Sequence, residues 1–380
     1  MKIAVASTFL GKVMRGCESW AQDLAAELHR RGIDVTLFQG GGPSDVSYAR
    51  HIPCPDHTDP FWKQVTRFTR HGLWRYGLGS PLHLQQVVFG RRVARELHRD
   101  RFDIVHTGDA GPALVLERAR RAGHHSAKVI FANETEESFE FLNQFEHVQE
   151  LAPYYLELDR KRGLSPDREW FTIPNFVDCD VYAPGDQAQA RQKFGIPRDR
   201  CVVLDVAALK LTHKRLDWLA KEVAIARQKH PEIMLIVAGA TTPETPQVED
   251  VIRKYLGEDA WILKDIPRLN MPDLYRAADT FVHAALSEMF AIVLLEAGAT
   301  GLSVRGHKFP VIEWVIGSGG VCVDMEVPGD LALSIIESRE NPLLRAQCGG
   351  NARHLVMERF NKVRVVDQIV DMYEAVLKNR

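Results

Sequence analysis

The sequence lacks the features that mark several common classes of protein. Its six cysteines are scattered and include no Cys-x-x-Cys pair, so a reducing cytoplasm is favoured over a disulfide framework. No apolar run reaches the roughly 18 residues that a membrane-spanning helix needs. The formal net charge is −2, which leaves no bulk electrostatic basis for nucleic-acid binding.

A Gly-x-Gly-x-x-Gly fingerprint, an internal repeat and a low-complexity segment are also missing. What is present is an alternation of apolar strands and amphipathic helices in both halves of the chain. The strand Lys2 to Ser7, a loop with glycines and the helix Glu18 to Arg31 open a doubly wound sheet. The alternation restarts with a strand from Cys201 to Ala207. The 380 residues therefore predict an α/β protein with two Rossmann-like domains.

The stretch from Ser287 to Gly301, SEMFAIVLLEAGATG, carries two carboxylates eight positions apart, Glu288 and Glu296. A strand from Asp279 to Ala284 precedes it, so we expect Glu288 on the following loop and Glu296 two turns into a buried helix. Eight positions are about 2.2 turns, which places both side chains on one side, roughly 12 Å apart. Ionised carboxylates accept hydrogen bonds, and sugar hydroxyls can donate them. One loop carboxylate and one unrelated helix surface charge are the alternative.

These motifs resemble those of the retaining glycosyltransferases of family 4, which have the GT-B fold. The resemblance is carried by SE-x-F-x-x-V-L-L-E-A-x-A-x-G-L around Glu288, by IPNFVDCDVYAP from Ile173, and by RGCES around Gly16, which is similar to the family's GGxE loop. It implies two Rossmann-like domains that face each other across a cleft. The implied boundaries are residues 1–175 for the acceptor domain, 176–360 for the donor domain and 361–380 for a helix that crosses back to the first domain.

The resemblance also implies roles for particular residues. Glu296 would bind the ribose hydroxyls of a nucleotide sugar, Glu288 would bind the donor sugar, and Lys214 would stabilise the departing diphosphate. Backbone N–H groups of Phe290–Ile292 would hold the distal phosphate at a helix N-terminus. The other candidates lie in loops that follow strands: Lys210, Arg215, His307 and Gly16 for donor binding, and Glu134 as a catalytic residue.

The sequence departs from the family pattern around the donor site. Ala208 stands where the family has an arginine, and Lys210 or Arg215 is the substitute that this loop offers. Met289 and Ala291 replace both glycines of the usual EGFG, which puts side chains where the donor approaches.

Further departures concern the strand after the donor helix and the first domain. Ser303 replaces the proline of the usual GLPV. No histidine clearly matches the one that points at the sugar from the first domain. Glu134, in an acidic run after the strand Lys128 to Ala132, lies nearest to that position, and His106 is the alternative. A solvated acidic loop would explain the same run.

Neither a metal nor a cofactor is expected. His51, Cys54 and His57 have a spacing similar to zinc ligands, but no fourth ligand follows and neighbouring prolines indicate a rigid loop. Asp178 and Asp180 look like the Asp-x-Asp metal motif of a different glycosyltransferase fold. Their position after IPN favours a linker between the domains.

The segment from Phe61 to Tyr76 combines four basic and five aromatic side chains without an acid. Such segments bind anionic membrane surfaces when they are exposed. A helix whose aromatic side chains pack on its own domain is the alternative, and the pattern favours it. Peripheral contact with the inner membrane face through residues 61–76 therefore stays open beside a cytoplasmic location.

The function that the resemblance implies is the retaining, metal-independent transfer of a hexosyl unit from a UDP- or GDP-linked sugar to a hydroxyl. The acceptor would be a glycan, a lipid-linked molecule or a small molecule, and nucleic acid is not expected as a partner. Two alternatives follow from the departures: a non-catalytic or weakly active nucleotide-sugar-binding protein, and a GT-B epimerase that acts on the nucleotide sugar itself.

Overall fold

A computed structural model describes residues 1–12, 16–69, 79–166 and 168–378. They form two compact units: Met1–Pro174 with the chain from Val365 onward, and Asn175–Arg364. The strands are β1 (Lys2–Ser7), β2 (Asp34–Gln39), β3 (Ala49–His51), β4 (Ile104–Thr107), β5 (Lys128–Ala132), β6 (His147–Glu150), β7 (Glu169–Thr172), β8 (Cys201–Val206), β9 (Ile233–Gly239), β10 (Ala260–Lys264), β11 (Thr280–Val282), β12 (Ser303–His307) and β13 (Gly320–Val323). The helices are α1 (Gly16–Arg30), α2 (Pro60–Thr69), α3 (Pro81–Asp100), α4 (Ala110–Arg121), α5 (Phe139–Leu142), α6 (Pro153–Lys161), α7 (Gln187–Phe194), α8 (Leu216–Lys229), α9 (Thr245–Leu256), α10 (Met271–Ala277), α11 (Ile292–Ala299), α12 (Pro310–Ile316), α13 (Asp330–Glu340), α14 (Pro342–Arg359) and α15 (Lys362–Lys378).

The first unit is built on a seven-stranded sheet of order β3-β2-β1-β4-β5-β6-β7. Every described pairing in it is parallel, and Ile3 pairs with Val35 on one side and Ile104 on the other. Phe89 and Phe131 belong to its buried core. Strands that are covered on both faces consist mainly of apolar residues, which is why the sequence predicts β1. The loops after β1, β4 and β5 emerge at one sheet edge, where open α/β sheets bind ligands.

The second unit repeats this plan with a six-stranded parallel sheet of order β10-β9-β8-β11-β12-β13. The strand order reverses between β8 and β11, which pair through Thr280 with Val203 and through Phe281 with Leu204. At Gly239, which ends β9, a side-chain carbon would lie 1.7 Å from the carbonyl oxygen of Ala207, so glycine is required for this approach. The reversal makes the loops after β8 and β11 the expected ligand-binding position.

Beside several short elements such as β3 and α5, three elements escaped the sequence analysis. The pattern between His51 and Gly90 looked irregular, but α3 occupies residues 81–100. Its start has the usual cap, because the Ser80 hydroxyl accepts a hydrogen bond from the backbone N–H of His83 at 3.1 Å. Strand β6 was missed because only Val148 among its four buried residues is apolar. Helix α7, between the linker and β8, was the third.

The linker after Pro174 is fixed within the second unit. Val177 pairs with Asn361, and the carboxylate of Asp178 binds the ammonium of Lys362 at 2.5 Å. The other oxygen of Asp178 accepts hydrogen bonds from the backbone of Asp180 and Val181 at 3.0 and 3.3 Å. These contacts give Asp178 a structural role in the turn.

Within the basic and aromatic segment, α2 ends at Thr69 and residues 70–78 lie outside the described part of the chain. Phe61 is 58% exposed, whereas Trp62 is half-buried. Arg70 and Arg75, two of its four cations, fall among the residues that are not described. None of the described helices combines the length and the apolar composition that crossing a membrane requires.

Candidate active site

Two loops at the reversal point of the second sheet bring Lys214 and Glu288 into an ion pair. Lys214 follows β8 and Glu288 follows β11, so the adjacency of the two strands explains the contact. His283, which directly follows β11, contacts Glu288 as well, with 2.9 Å between its Nε2 atom and Oε1 of Glu288. The Glu288 side chain is only 12% exposed. The site thus holds a largely buried carboxylate between two basic groups.

The charge of Glu288 is set by these neighbours. Burial alone would raise the pKa of the carboxyl group, but the hydrogen bond from His283 and the charges of His283 and Lys214 outweigh it and hold the pKa at about 2. Glu288 is therefore ionised at neutral pH and acts only as a hydrogen-bond acceptor. This is the property that recognition of a sugar hydroxyl requires.

The loop that carries Lys214 is held in a strained conformation. His213 and Arg215, on either side of it, have φ values of 69° and 52°, in the left-handed region that non-glycine residues rarely adopt. The His213 ring donates from Nε2 to the carbonyl oxygen of Ser287 at 3.0 Å, which ties the loop to the residue before Glu288. Glu244 accepts hydrogen bonds from the backbone N–H groups of Leu211 and Thr212, which directly precede His213. Such strain is common where a loop is fixed for function.

The two cations proposed to replace the missing arginine differ in their surroundings. Arg215 donates a hydrogen bond to the carbonyl oxygen of Met325 at 2.9 Å and lies over the Trp218 ring at 4.7 Å. Burial lowers the pKa of its guanidinium. Arg215 therefore anchors the loop to the body of the unit. Lys210 is half-buried near the start of the same loop. Their part in donor binding stays a prediction.

Glu296 lies on the first turns of α11 and is oriented by tyrosines. The hydroxyl of Tyr275 donates to Oε2 of Glu296 at 2.6 Å. Tyr182 is a second phenol near Glu296. Burial raises the pKa of this phenol, and the charge of Glu296 raises it further. A carboxylate held by phenols keeps a defined direction while it remains half-buried. That geometry suits binding to a pair of ribose hydroxyls.

The start of α11 corrects one sequence-based prediction. The helix begins at Ile292, so Glu296 lies about one turn into it and not two. Residues 288–291 are not helical, and the straight-helix distance between Glu288 and Glu296 does not apply. The Phe290 ring is buried against Trp314 and Phe360, so only the backbone of Phe290 is available to a ligand.

Ala291 occupies the position where a glycine was expected. Its φ and ψ are 63° and 76°, in the left-handed region, and it forms the N-cap of α11. Met289 has no such conformation. Only the second of the two glycine replacements therefore strains the backbone. The cap has no side-chain hydrogen bond, and the first N–H groups of any helix have no partner within it.

Ser303, which replaces the proline of the expected GLPV, contacts Arg305 on the same strand. Arg305 is 1% exposed and donates from Nη1 to the Ser303 hydroxyl at 2.7 Å. It also donates to the carbonyl oxygens of Val304 and Ser334. The serine thus satisfies a buried guanidinium, which a proline at this position would not do.

His307 has a neighbouring pair of carboxylates but a poor geometry for a metal. His307, Asp324 and Glu326 are the only group among the described residues that fits the spacing of metal ligands. The Nδ1 atom of His307 accepts a hydrogen bond from the backbone N–H of Met325 at 3.1 Å, so in the neutral ring Nε2 carries the proton. Neither nitrogen then offers a lone pair to an ion. The donor-binding role of His307 stays a prediction.

The loops of the first unit bring Gly16 and Glu134 to one sheet edge. Gly16 begins α1, after β1, and Glu134 follows β5. A side-chain carbon at Gly108, after β4, would lie 2.8 Å from Cγ of Glu134 and 2.9 Å from Sγ of Cys17. Three loops therefore converge at the edge where a ligand is expected.

His106, the alternative to Glu134, belongs to the core. It is 0% exposed in β4, its Nδ1 atom lies 2.8 Å from the Tyr373 hydroxyl, and the Trp20 ring packs on it. Burial lowers the pKa of the imidazole to about 3, so the ring is neutral. His106 is therefore not placed to contact a sugar.

Sequence reasoning missed three side chains: His283 and Tyr275, which contact Glu288 and Glu296, and Asp205, which is buried in β8. A polar residue in or next to an apolar strand was the available signal for two of them, in CVVLDVAAL and FVHAALSE. Tyr275 gave no signal, because an aromatic residue on a short helix is ordinary core composition.

Two parallel α/β sheets, with a carboxylate pair at the reversal point of the second, define a protein of the GT-B glycosyltransferase class. The chain belongs to glycosyltransferase family 4. The model of that family, Glycosyltransferase Family 4, matches residues 14–205, and the model Glycosyl transferases group 1 matches residues 186–355.

Individual relatives agree with this assignment. A D-inositol 3-phosphate glycosyltransferase of Geodermatophilus obscurus is 30% identical over 397 residues, which cover 95% of this chain and 84% of that protein. A second such enzyme, from Catenulispora acidiphila, is 30% identical over 52% of this chain, and the chain spans about half of its length, 48%. An N-acetyl-alpha-D-glucosaminyl L-malate synthase of Bacillus anthracis is 24% identical over 57% of this chain and 56% of that protein.

Solved structures share the fold over the whole chain. Sucrose-phosphate synthase of Thermosynechococcus elongatus has a TM-score of 0.82 at 18% identity, covering 100% of both chains. HepE of Anabaena, solved in complex with UDP-glucose, has a TM-score of 0.74 at 17% identity, covering 99% of this chain and 100% of that one.

Proposed function

We propose that this protein transfers a hexosyl unit from a UDP- or GDP-linked sugar to an acceptor hydroxyl with retention of the anomeric configuration and without a metal. The observation that carries the proposal is the ionised Glu288, held between Lys214 and His283 at the reversal point of the second sheet. Membership of glycosyltransferase family 4 supports the reaction class. The UDP-glucose complex of HepE, which has the same fold, supports the donor class.

Each residue of the site has a task in this reaction. Glu296, oriented by Tyr275, accepts hydrogen bonds from the ribose hydroxyls of the donor. Glu288 accepts them from hydroxyls of the sugar. The N–H groups at the start of α11 and the ammonium of Lys214 stabilise the diphosphate, on which negative charge develops. An ammonium has three donors, so Lys214 can bind Glu288 and a phosphate oxygen together.

The transfer step needs no base from the protein. The bond between the anomeric carbon and the phosphate oxygen breaks, and the acceptor oxygen forms its bond to the same face of that carbon. The proton of the acceptor hydroxyl passes to the departing phosphate oxygen. The protein's part is to hold the two substrates and to stabilise the charge of the leaving group.

The acceptor is proposed at the sheet edge of the first unit where the loops of Gly16, Gly108 and Glu134 converge. The names of two relatives contain D-inositol 3-phosphate and L-malate, which are small anions with hydroxyl groups. We therefore place such molecules first among the acceptors to be tested, before glycans and lipid-linked saccharides.

A donor screen tests the proposal. UDP- and GDP-linked hexoses are incubated with and without acceptors, in EDTA, and release of nucleoside diphosphate is measured. Acceptor-dependent release with an α-linked product from an α-linked donor supports retaining transfer. An inverted product contradicts it, and activity that EDTA abolishes and manganese restores contradicts metal independence.

The same screen separates the alternatives. Tight donor binding without release in the presence of any acceptor indicates a nucleotide-sugar-binding protein. A change in the sugar while it remains attached to the nucleotide indicates an epimerase. Glu288→Gln serves as the matched inactive control, because it keeps the size of the side chain and removes the charge.

A further inference from the structure

Asp205 is a buried carboxylate for which the proposed reaction has no use. It is the only charged residue of β8, all six residues of which are buried, and it is 0% exposed itself. Neither of its oxygens has a hydrogen-bond partner of normal geometry among the described residues. A buried carboxylate without such a partner is costly, so its presence in a central strand calls for an explanation.

The surroundings of Asp205 connect it with Glu288. Because β8 pairs with β11, Asp205 lies one strand away from His283, which follows that strand. His283 is 1% exposed, and its Nδ1 atom also lacks a hydrogen-bond partner among the described residues. Burial raises the pKa of the Asp205 carboxyl group, the charges of His283 and Lys214 lower it, and the charge of Glu288 raises it. These are the three groups of the proposed sugar-binding site.

Asp205 is also close to the second carboxylate of the site. Burial raises the pKa of the Tyr275 phenol, and the charges of Glu296 and Asp205 contribute to the increase. Tyr275 is the residue that donates a hydrogen bond to Glu296. One buried carboxylate thus acts on the residues behind both Glu288 and Glu296.

We propose that Asp205 is a positioning residue of the donor site, acting on Glu288 through His283 and Lys214. Its negative charge attracts both basic groups, which meet on the same oxygen of Glu288. This competition leaves Glu288 able to accept a hydrogen bond from a donor sugar. The inference rests on the proposed function and adds a residue to it.

The ionisation of Asp205 makes the inference measurable. Burial raises the pKa of the carboxyl group, the charges of His283 and Lys214 oppose the increase, and the pKa is about 6. The charged groups that act on Asp205 are His283, Lys214 and Glu288, and the nearby phenol is Tyr275. Below about pH 6 Asp205 becomes neutral, and Glu288 is then the only one of the two carboxylates that still attracts His283 and Lys214. Sugar binding is then expected to weaken.

The deciding experiment needs no ligand. Ring signals of His283, assigned with His283→Gln, are followed by NMR through the pH range around 6 in the wild type and in Asp205→Asn. We expect a transition of the His283 signals that reports Asp205 and disappears in the variant. The matched control is Asp279→Asn, an aspartate next to the opposite end of β11 that pairs with Arg191, and it should keep the transition. Identical titrations in the wild type and in Asp205→Asn would overturn the proposal.

A second arm measures binding of UDP-glucose and UDP by calorimetry. In the wild type the affinity for UDP-glucose should fall several-fold from pH 7.5 to pH 5, and in Asp205→Asn it should be low and independent of pH. UDP is compared only at pH 7.5, because its terminal phosphate titrates near 6.

If the wild type binds neither molecule, the proposed use of a UDP donor is wrong, whereas the NMR arm still decides the role of Asp205. If Asp205→Asn does not fold, Asp205→Leu replaces it in both arms, and persistence of the pH dependence in that variant contradicts the proposal.

Discussion

Lys214 and Glu288 form an ion pair although 74 residues separate them in the sequence. The pair exists because the strands that precede their loops, β8 and β11, are neighbours at the point where the strand order reverses. The same arrangement aims a cation and an acceptor at one place, which is what a substrate with a diphosphate and a sugar requires. The site is therefore a direct product of the topology.

The role of Lys214 in stabilising the leaving group predicts the effect of its removal. Lys214→Met should lower kcat by about 100- to 1,000-fold, the usual effect of losing one donor that is aimed at developing charge. The change should affect the affinity for UDP less, because Glu296 and the start of α11 remain. Steady-state kinetics with the donor found in the screen measure both.

A control for this variant comes from the same unit. Lys221→Met removes a lysine on α8 that forms an exposed pair with Asp217. It should leave kcat within about twofold, because such surface pairs contribute little. If both variants are equally active, Lys214 has no catalytic role.

The Glu296 contact predicts a loss of nucleotide affinity. Glu296→Ala removes a charged acceptor and should weaken binding of UDP or GDP by about 1.5–3 kcal/mol, measured by calorimetry. Tyr275→Phe, which leaves the carboxylate but frees its direction, should have a smaller effect in the same sense. Glu249→Ala removes a half-buried carboxylate on α9 that pairs with Lys264, and it is the control. Unchanged affinity in Glu296→Ala would remove the ribose-binding role.

The conformation of Ala291 predicts a stabilising substitution. A left-handed φ costs an L residue roughly 1–2 kcal/mol, and the entropy of glycine in the unfolded chain offsets about 0.4–1 kcal/mol of that. Ala291→Gly should therefore raise the free energy of unfolding of the second unit by up to about 1.5 kcal/mol. Denaturant unfolding monitored by fluorescence measures it.

Met289→Gly is the matched control for Ala291→Gly. Met289 does not have a left-handed φ, so glycine gains nothing there and only adds entropy to the unfolded chain. We expect it to lower stability by about 0.5–1 kcal/mol. A destabilising effect of similar size in both variants would show that the Ala291 conformation carries no strain.

The site residues that the sequence predicted are those that lie within motifs of the family. Glu288, Glu296 and Lys214 were found because they lie at fixed spacings within motifs of the family. His283 was not found, because its contact with Glu288 depends on how the chain turns after β11, and the sequence carried no signal for that turn. Asp205 was missed as well, although a carboxylate is unusual in an apolar strand.

The same distinction holds for the fold. Strands β1, β5 and β8 were predicted because continuous apolar runs are typical of buried parallel strands. Strand β6 is equally buried but reads His-Val-Gln-Glu, so its place in the sheet is set by tertiary contacts and not by local pattern. Ala291 adds a third case, since an alanine gives no sign of a left-handed conformation that its surroundings impose.

The segment that contains α2 gives the last prediction, which concerns membranes. Phe61 is 58% exposed, Trp62 is half-buried, and Lys63 and Arg67 lie on the same helix, α2, which contains no acidic residue. At an anionic lipid surface each such cation gains about 1 kcal/mol, and exposed aromatic side chains add interfacial burial. We expect weak binding to vesicles that contain anionic phospholipid, and little to neutral vesicles.

Sedimentation with vesicles at low and high salt measures this binding. High salt should abolish it, because the attraction is screened over a Debye length of roughly 10 Å at 0.1 M salt. Lys63→Glu/Arg67→Glu should abolish it as well, whereas Arg253→Glu, on an exposed surface of α9 in the other unit, should not. Absence of binding at low salt would reject membrane contact through this helix and favour the alternative in which its aromatic side chains pack within the first unit.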